Sequence, residues 1–262
     1  MPKINNRKIK AVILDMDGVL WRENTPLADL PAVFNQFSNK GIPVTLATNN
    51  GTNTPDQYVN KLKKFGVQIN PEQVVTSSMA TAFLVKKEFP NGGPVYMMGS
   101  DALKTNLEEE GFYHSVSDPQ AVVAGLKWEF DYQTIKETSL VIQRGIPFYY
   151  TNPDPTYPSP EGQVPGAGTL LAALESASGI KAKIAGKPQP YLFEVSMERM
   201  GSLPEETAVI GDRISTDILG GYNAGCLTVF VLSGINSMED LENWEIRPDL
   251  IIENIHDLFS SI

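Results

Sequence analysis

The 262-residue chain has very few of the residues on which many metal and redox sites depend. It contains a single cysteine, Cys226, so an intrachain disulfide, a CxxC motif and a cysteine-rich zinc site are all excluded. Its only histidines are His114 and His256, which excludes a site built from several histidines. Any metal site in this chain must therefore be built from carboxylates and other oxygen ligands.

Long apolar runs and an excess of positive charge are also missing. No run of about 18 apolar residues occurs, so we predict no transmembrane helix. The first ten residues are polar and basic and lack the apolar stretch of a secretory signal, so we expect a cytoplasmic protein. The chain has 21 basic and 31 acidic residues and a net charge of −10, which disfavours binding to nucleic acids and to anionic membranes. We therefore expect neither as a partner.

Short apolar runs alternate with amphipathic segments of helical period. The runs predict buried strands at residues 11–14, 44–47, 95–98, 121–126, 146–150, 208–210, 227–232 and 250–252. The amphipathic segments predict helices at residues 30–40, 55–65, 78–88, 133–144, 170–178 and 190–200. Strands that alternate with helices of this length are typical of βαβ units, and they predict an α/β fold with a parallel sheet.

Two pairs of carboxylates follow predicted strands. Asp15 and Asp17 come directly after the first strand, and Gly18 allows a sharp turn there. Asp212 closely follows the strand at 208–210, and Asp217 comes five residues later. Ligands of open α/β sheets bind beyond the carboxyl ends of the strands, where neighbouring strands would bring these acids together. Because crowded carboxylates repel one another unless a cation lies among them, we predict a Mg²⁺ site at this edge.

Two further strand ends carry groups that suit an anion. The strand at 44–47 runs into Thr48, Asn49 and Asn50, which offer a hydroxyl and backbone amides to a phosphate. Lys187 follows the apolar run at 182–185, where its charge could neutralise a carboxylate or a phosphate oxygen. Alone, each motif has an ordinary interpretation as a helix cap, a turn or an exposed loop. Four such motifs, each at the carboxyl end of a strand, favour a functional site.

Together these residues resemble the motifs of the haloacid dehalogenase superfamily of phosphohydrolases. The run from Asp15 to Val19 resembles the first motif, Thr48 the second, Lys187 the third, and the segment from Gly211 to Asp217 the fourth. Within the superfamily, the runs 48–50, 151–154 and 165–169 resemble the NagD-like or 4-nitrophenylphosphatase-type subclass, class IIA.

The resemblance implies a Rossmann-like, doubly wound parallel sheet core with an inserted α/β cap domain of the C2 type. The 138 residues between Thr48 and Lys187 leave room for such an insertion. We expect a discontinuous catalytic core at residues 1–78 and 184–262 and a cap domain at residues 79–183. By analogy with relatives, we also expect a homodimer that forms through the cap.

A mechanism follows from the same resemblance. Asp15 would attack phosphorus and form an aspartyl-phosphate, while Asp17 would protonate the leaving alcohol and then deprotonate water. Mg²⁺ would be held by the Asp15 carboxylate, the Asp17 main-chain carbonyl and Asp212, with Asp217 in support. Lys187 would share with the metal the task of offsetting the repulsion between nucleophile and phosphate.

The expected function is therefore a Mg²⁺-dependent phosphatase for small phosphate monoesters. Thr48 and the Asn49 amide would bind the phosphoryl oxygens, and Asn50 would order the loop or meet the substrate. Candidate substrates are sugar phosphates, phosphoglycolate, nucleotides and 4-nitrophenyl phosphate. The alternatives are a phosphotransferase or mutase of the same superfamily, carbon–halogen hydrolysis, and a non-catalytic phosphate-binding module. Carbon–halogen hydrolysis is disfavoured because a halide needs no acid at Asp17.

Several residues outside these motifs carry weaker expectations. The proline-rich segment 152–168 predicts an irregular loop, which is either part of the substrate machinery or a stiffened connection. Trp21 is expected to pack in the flap after the catalytic loop, and Cys226 to be an inert buried thiol. Three aromatic residues with period two favour a core or dimer contact, with a substrate platform as the alternative: Trp128, Phe130 and Tyr132.

Overall fold

The alternation of strands and helices predicted from the sequence is present in the computed structural model, which describes residues 3–159 and 161–261. In chain order, the strands within these ranges are β1 (Lys3–Ile4), β2 (Arg7–Lys8), β3 (Ala11–Leu14), β4 (Trp21–Arg22), β5 (Thr25–Pro26), β6 (Val44–Thr48), β7 (Val74–Thr76), β8 (Gly93–Met98), β9 (Phe112–His114), β10 (Val122–Ala124), β11 (Phe148–Tyr150), β12 (Thr156–Ser159), β13 (Gly162–Pro165), β14 (Lys183–Ile184), β15 (Thr207–Gly211), β16 (Leu227–Val231) and β17 (Leu250–Ile252).

The helices in the same part of the chain are α1 (Leu30–Asn39), α2 (Pro55–Lys64), α3 (Ser77–Glu88), α4 (Asp101–Glu109), α5 (Tyr132–Ile142), α6 (Ala167–Ser178), α7 (Tyr191–Met200), α8 (Leu219–Asn223), α9 (Met238–Glu242) and α10 (Leu258–Ser261). A π-helical turn, Ile214–Ile218, precedes α8. No helix among the described residues is both long and apolar enough to span a membrane.

The chain divides into two units, of which the first holds both termini of the described chain. It comprises the residues through Thr48, the segment Pro55–Val75 and the residues from Lys187 onward. Its six-stranded sheet has the order β17-β16-β15-β3-β6-β7. Strand β3 pairs in parallel with β15 on one side and with β6 on the other. The carboxyl ends of these three strands therefore lie side by side, as the parallel-sheet prediction requires.

The central strands of this sheet are buried on both faces, which explains why they read as continuous apolar runs. Every residue of β3, β6, β15 and β16 is buried. Helix α1 buries Val33 and Phe37 in the same core, and it begins where the Asp29 side chain accepts a hydrogen bond from the Ala32 amide at 3.1 Å. The side chains at the carboxyl edge of the sheet therefore follow strands that are packed on both faces.

The second unit comprises Asn49–Thr54 and Thr76–Gly186. It has its own five-stranded sheet, of order β14-β11-β10-β8-β9, in which all the strand pairs are parallel. The helices α3 to α6 belong to this unit, and α5 and α6 contribute Val141, Ile142, Leu170 and Leu174 to its hydrophobic core. Each unit thus has a parallel β-sheet, helices and a hydrophobic core of its own, and the predicted α/β fold class is confirmed.

One expectation for this second unit and part of another were wrong. The segment 152–168 is irregular only at its start, because β12 and β13 form an antiparallel hairpin, in which Tyr157 pairs with Val164. Both strands of an isolated two-stranded ribbon are edge strands, where proline is tolerated. Pro160 lies outside the described residues. The three aromatic residues are not in the core, since Trp128, Phe130 and Tyr132 are 60%, 42% and 80% exposed. Their role in a dimer contact stays a prediction.

Candidate active site

The first acid of the site, Asp15, directly follows β3. Its amide donates a hydrogen bond to the Ile210 carbonyl at 2.9 Å, so the neighbouring strand β15 fixes its main chain. The Asp15 side chain is largely buried, and its Oδ1 accepts a hydrogen bond from Lys187 Nζ at 2.5 Å. The carboxylate at the end of the first strand is therefore held in one orientation, with one oxygen engaged.

Lys187 lies at the centre of the site with only 4% of its side chain exposed. Its Nζ donates to Asp15 Oδ1 at 2.5 Å, to Asp217 Oδ1 at 2.6 Å and to the Ala47 carbonyl at 3.2 Å. An ammonium group has three donors, and three acceptors surround it here. Burial alone would lower the pKa of Lys187, but the charges of Asp15 and Asp217 outweigh it and hold that pKa above its ordinary value. The lysine is thus a fixed positive charge.

The remaining two acids follow β15. Asp212 is fully buried, and its Oδ2 accepts a hydrogen bond from the Ile235 amide at 2.7 Å. Its other oxygen, Oδ1, is buried without a hydrogen-bond partner among the described residues. Burial, together with the charge of Asp217, raises the pKa of Asp212 to about 6. Asp217 has both oxygens engaged, because Oδ2 accepts from the Arg213 amide at 3.0 Å while Oδ1 faces the lysine.

Glycines bring the main chain close to these carboxylates. Gly18 has φ +90°, and a Cβ built on it would lie 2.3 Å from Asp212 Oδ2. A Cβ on Gly234 would lie 1.9 Å from the same oxygen. Neither position has room for a side chain, and Gly18 adopts a conformation that favours glycine. The glycine after the second aspartate of the first motif is therefore a steric requirement of the site as well as a turn residue.

The arrangement fits a divalent cation with oxygen ligands. One carboxylate oxygen from each of Asp15, Asp212 and Asp217 lies within 4.8 Å of the others. With Lys187, these groups carry a net charge of −2 when ionised. Burial raises the pKa of Asp15, and so do Asp217 and Asp212, against the opposing effect of Lys187. A 2+ ion would remove this excess charge and satisfy Asp212 Oδ1, and the all-oxygen donor set suits Mg²⁺.

Asp17 differs from the other acids in being exposed. Its Oδ1 accepts a hydrogen bond from the indole Nε1 of Trp21 at 2.8 Å. An exposed carboxylate at this position can exchange protons with a bound molecule and with water, as a general acid and base must. Trp21 itself is fully buried, which agrees with its expected packing after the catalytic loop.

The residues predicted to bind phosphate fall on both sides of the division between the units. Thr48 is buried at the end of β6 in the first unit, next to the carbonyl of Ala47 that Lys187 contacts. Asn49 and Asn50 belong to the second unit. The Asn50 side chain accepts hydrogen bonds from the amide and the hydroxyl of Thr52, at 3.0 and 2.7 Å, so it shapes the loop.

Sequence reasoning missed the polar groups that hold Asn49. Its Nδ2 donates to Asp154 Oδ2 at 3.0 Å, and its carbonyl accepts from Asn152 Nδ2 at 2.7 Å and from Ser77 Oγ at 2.6 Å. The sequence analysis assigns no contact with Asn49 to Asn152 or Asp154. The run 151–154, already noted as typical of the subclass, was the signal that could have identified them.

Comparison with known proteins is consistent with this geometry. Residues 12–113 match the family model described as haloacid dehalogenase-like hydrolase, and residues 184–258 match a second model, described as HAD-hydrolase-like. An acid sugar phosphatase of Staphylococcus aureus is 31% identical over 257 residues, which cover 98% of this chain and 99% of that protein.

Solved structures show the same relationship. NagD of E. coli K-12 has a TM-score of 0.88 and 32% identity, covering 95% of this chain and 97% of that one. A 4-nitrophenylphosphatase of Thermotoga maritima has a TM-score of 0.89 and 34% identity, with coverage of 96% and 97%. A glycerol phosphate phosphatase of Mycobacterium tuberculosis, solved in complex with magnesium, has a TM-score of 0.89 and 30% identity, with coverage of 96% and 76%.

Proposed function

The chain belongs to the haloacid dehalogenase-like hydrolases, and from this premise we propose that it is a Mg²⁺-dependent phosphatase of small phosphate monoesters. Three of the similar proteins named above are phosphatases by name, so the enzyme class is phosphoric monoester hydrolase. The observation that carries the proposal is the buried group of Asp15, Lys187, Asp212 and Asp217 at the carboxyl edge of the sheet.

In the first step, an oxygen of Asp15 forms a bond to phosphorus while the bond between phosphorus and the ester oxygen breaks. Asp17, in its protonated form, gives its proton to that ester oxygen, and the alcohol leaves. In the second step, water attacks phosphorus as Asp17 takes one of its protons. The bond between phosphorus and Asp15 breaks, and inorganic phosphate and the free carboxylate are regenerated.

Lys187 supports both steps by fixing one oxygen of Asp15 and by lowering the negative potential that an incoming phosphate meets. Thr48 and the amide of Asn49 bind phosphoryl oxygens, and Asn50 orders their loop. Mg²⁺, when bound by the Asp15 carboxylate, the Asp17 carbonyl and Asp212, with Asp217 in support, supplies further neutralisation of the charge on the phosphate.

The proposal extends to substrate class and organisation. Sugar phosphates, phosphoglycolate, nucleotides and 4-nitrophenyl phosphate are the candidate substrates. Residues 1–78 and 184–262 form the catalytic core and residues 79–183 the cap domain. Homodimerisation through the cap and a cytoplasmic location belong to the same proposal.

A phosphate-release assay on a panel of these esters, run with Mg²⁺ and with EDTA, tests the function. We expect hydrolysis that requires the metal, and we expect Asp15→Asn to abolish it while the circular dichroism spectrum stays unchanged. Transfer of phosphate to a second sugar would identify a phosphotransferase instead. Near-normal turnover by Asp15→Asn would refute the assignment of the nucleophile, and undiminished activity in EDTA would refute the metal requirement.

A further inference from the structure

The indole ring of Trp21 contacts the carboxylate proposed as acid and base. Its Nε1 donates a hydrogen bond of 2.8 Å to Asp17 Oδ1. The two residues are also tied through the main chain, because the Gly18 amide donates to the Trp21 carbonyl at 2.8 Å and the Trp21 amide donates to the Met16 carbonyl at 3.3 Å. The turn between β3 and β4 therefore brings this particular side chain back onto Asp17.

The ring itself is held in place from several sides. Trp21 is fully buried, the ammonium of Lys61 lies 4.3 Å from the centroid of its ring, and the Phe65 ring lies 6.0 Å away. Contact of a cation with an aromatic face is attractive, and the charge of Asp17 also favours the protonated lysine, although burial lowers the pKa of Lys61. The direction of the indole N–H is thus fixed by packing that does not depend on Asp17 alone.

The two oxygens of Asp17 are consequently not equivalent. The indole N–H is a donor only, so Oδ1 must remain an acceptor as long as this hydrogen bond exists. The other oxygen, Oδ2, accepts no hydrogen bond from the described residues. A proton on the carboxyl group can reside on Oδ2 without loss of the bond to Trp21, whereas rotation of the carboxyl group would break it.

We propose that Trp21 is a positioning residue for the acid–base step: its N–H holds Asp17 so that Oδ2 is the oxygen that gives and receives the proton. The inference rests on the proposed phosphatase function. In the first step, the proton passes from Oδ2 to the ester oxygen as that oxygen leaves phosphorus. In the second step, a proton of the attacking water returns to Oδ2. Trp21 touches neither the substrate nor the reacting atoms.

This role predicts an effect that depends on the leaving group. Release of an alkyl alcohol needs a proton, whereas 4-nitrophenolate is a weak base that leaves without one. Loss of the hydrogen bond should therefore slow the hydrolysis of alkyl phosphates far more than that of 4-nitrophenyl phosphate. A hydrogen bond to a charged group accounts for about 10- to 100-fold in rate when its whole effect is expressed in the transition state.

The test compares kcat/KM for glycerol 3-phosphate with kcat/KM for 4-nitrophenyl phosphate. In Trp21→Phe, which keeps an aromatic ring without the N–H, we expect a loss of about 10-fold or more for the alkyl ester and of less than about 3-fold for the aryl ester. Replacement of Trp21 by benzothienylalanine, where sulfur takes the place of N–H, repeats the test with the shape of the side chain unchanged. Phe65→Leu is the matched control, since it disturbs the packing of the ring but leaves the donor in place.

An equal loss for both esters, accompanied by a lower melting temperature, would show a merely structural role for Trp21 and overturn the inference. So would an alkyl-specific loss in Phe65→Leu of the same size as in Trp21→Phe. In an Asp17→Ala background, Trp21→Phe should add no further alkyl-specific loss, because the group that it positions is gone. A wild-type protein that hydrolyses neither these two esters nor any ester of the panel above would instead refute the proposed function, so the two failures are distinguishable.

Discussion

Replacing Asp212 by asparagine should stabilise the metal-free protein while destroying its activity. The carboxylate of Asp212 is fully buried, and one of its oxygens has no hydrogen-bond partner among the described residues. An asparagine side chain carries no charge to be desolvated, and its carbonyl oxygen can still accept the hydrogen bond from the Ile235 amide. The variant therefore removes an electrostatic penalty that the wild-type protein bears at neutral pH.

The size of this penalty follows from the pKa of Asp212, which burial and Asp217 raise from 3.8 to about 6. At 1.36 kcal/mol per pKa unit, the shift corresponds to about 3 kcal/mol. Because the folded state binds this proton more tightly than the unfolded state, the free energy of unfolding falls as the pH rises through the interval from about 4 to about 6. The full penalty applies above that interval, and about half of it applies at pH 5.

Urea unfolding in EDTA, followed by circular dichroism at pH 5 and at pH 7.5, measures the effect. We expect Asp212→Asn to raise the free energy of unfolding by up to about 3 kcal/mol at pH 7.5 and by about half as much at pH 5. Addition of Mg²⁺ at 100 times its dissociation constant should stabilise the wild-type protein by about 2.7 kcal/mol and the variant much less. The control is Asp118→Asn, which removes an exposed carboxylate of the same charge.

The reasoning is refuted if Asp212→Asn is no more stable than the wild type in EDTA at pH 7.5. It is also refuted if the exposed control is stabilised as much, because a general reduction of the net charge of −10 would then explain the gain. A gain that is the same at both pH values would exclude the titration of Asp212 as its source.

Two further substitutions test the neighbouring contacts. Lys187→Met leaves Asp15 buried without its ammonium partner. It should lower kcat/KM by about 10²- to 10³-fold and the free energy of unfolding in EDTA by about 3–5 kcal/mol. Unchanged stability would contradict the buried ion pair. Asp154→Ala removes the acceptor for the Asn49 side chain. It should raise KM and the inhibition constant of inorganic phosphate about tenfold. Asp154→Asn retains an acceptor oxygen, so both constants should stay close to those of the wild type. If both variants at this position bind phosphate normally, Asp154 does not hold the loop.

The sequence was most informative where the chain is buried and regular. Strands such as β3 and β15 lie inside a parallel sheet, so each is a continuous apolar run in the sequence. The end of the run locates the carboxyl end of the strand. The acids that follow them lie together because parallel pairing aligns those ends. The placement of Asp15, Asp212 and Asp217 was therefore within reach of sequence patterns alone. Parallel pairing in this sheet does not explain the position of Lys187, because the strand before it, β14, belongs to the five-stranded sheet.

Other features depend on contacts that no local pattern records. The hydrogen bond between Asn49 and Asp154 joins residues 105 positions apart, and each of them is an ordinary turn residue by type. The contact between Trp21 and Asp17 spans only four positions, but it depends on the direction of one side chain in a tight turn. The period-two spacing of the aromatic residues did not predict the exposure of Trp128. This residue lies in a loop, where no neighbouring strand covers its side chain.

The loop after β6 has a consequence for exchanging parts between related enzymes. Asn49–Thr54 belongs to the second unit although Thr48 belongs to the first, and its polar anchors Ser77 and Asn152 lie in the second unit too. A graft that swapped only residues 79–183 would separate the loop from Asn152 while retaining Ser77. A transplantable module therefore has to include the hexapeptide 49–54 together with the segment 76–186, and the recombination points that respect these contacts lie directly beside Thr48 and Lys187.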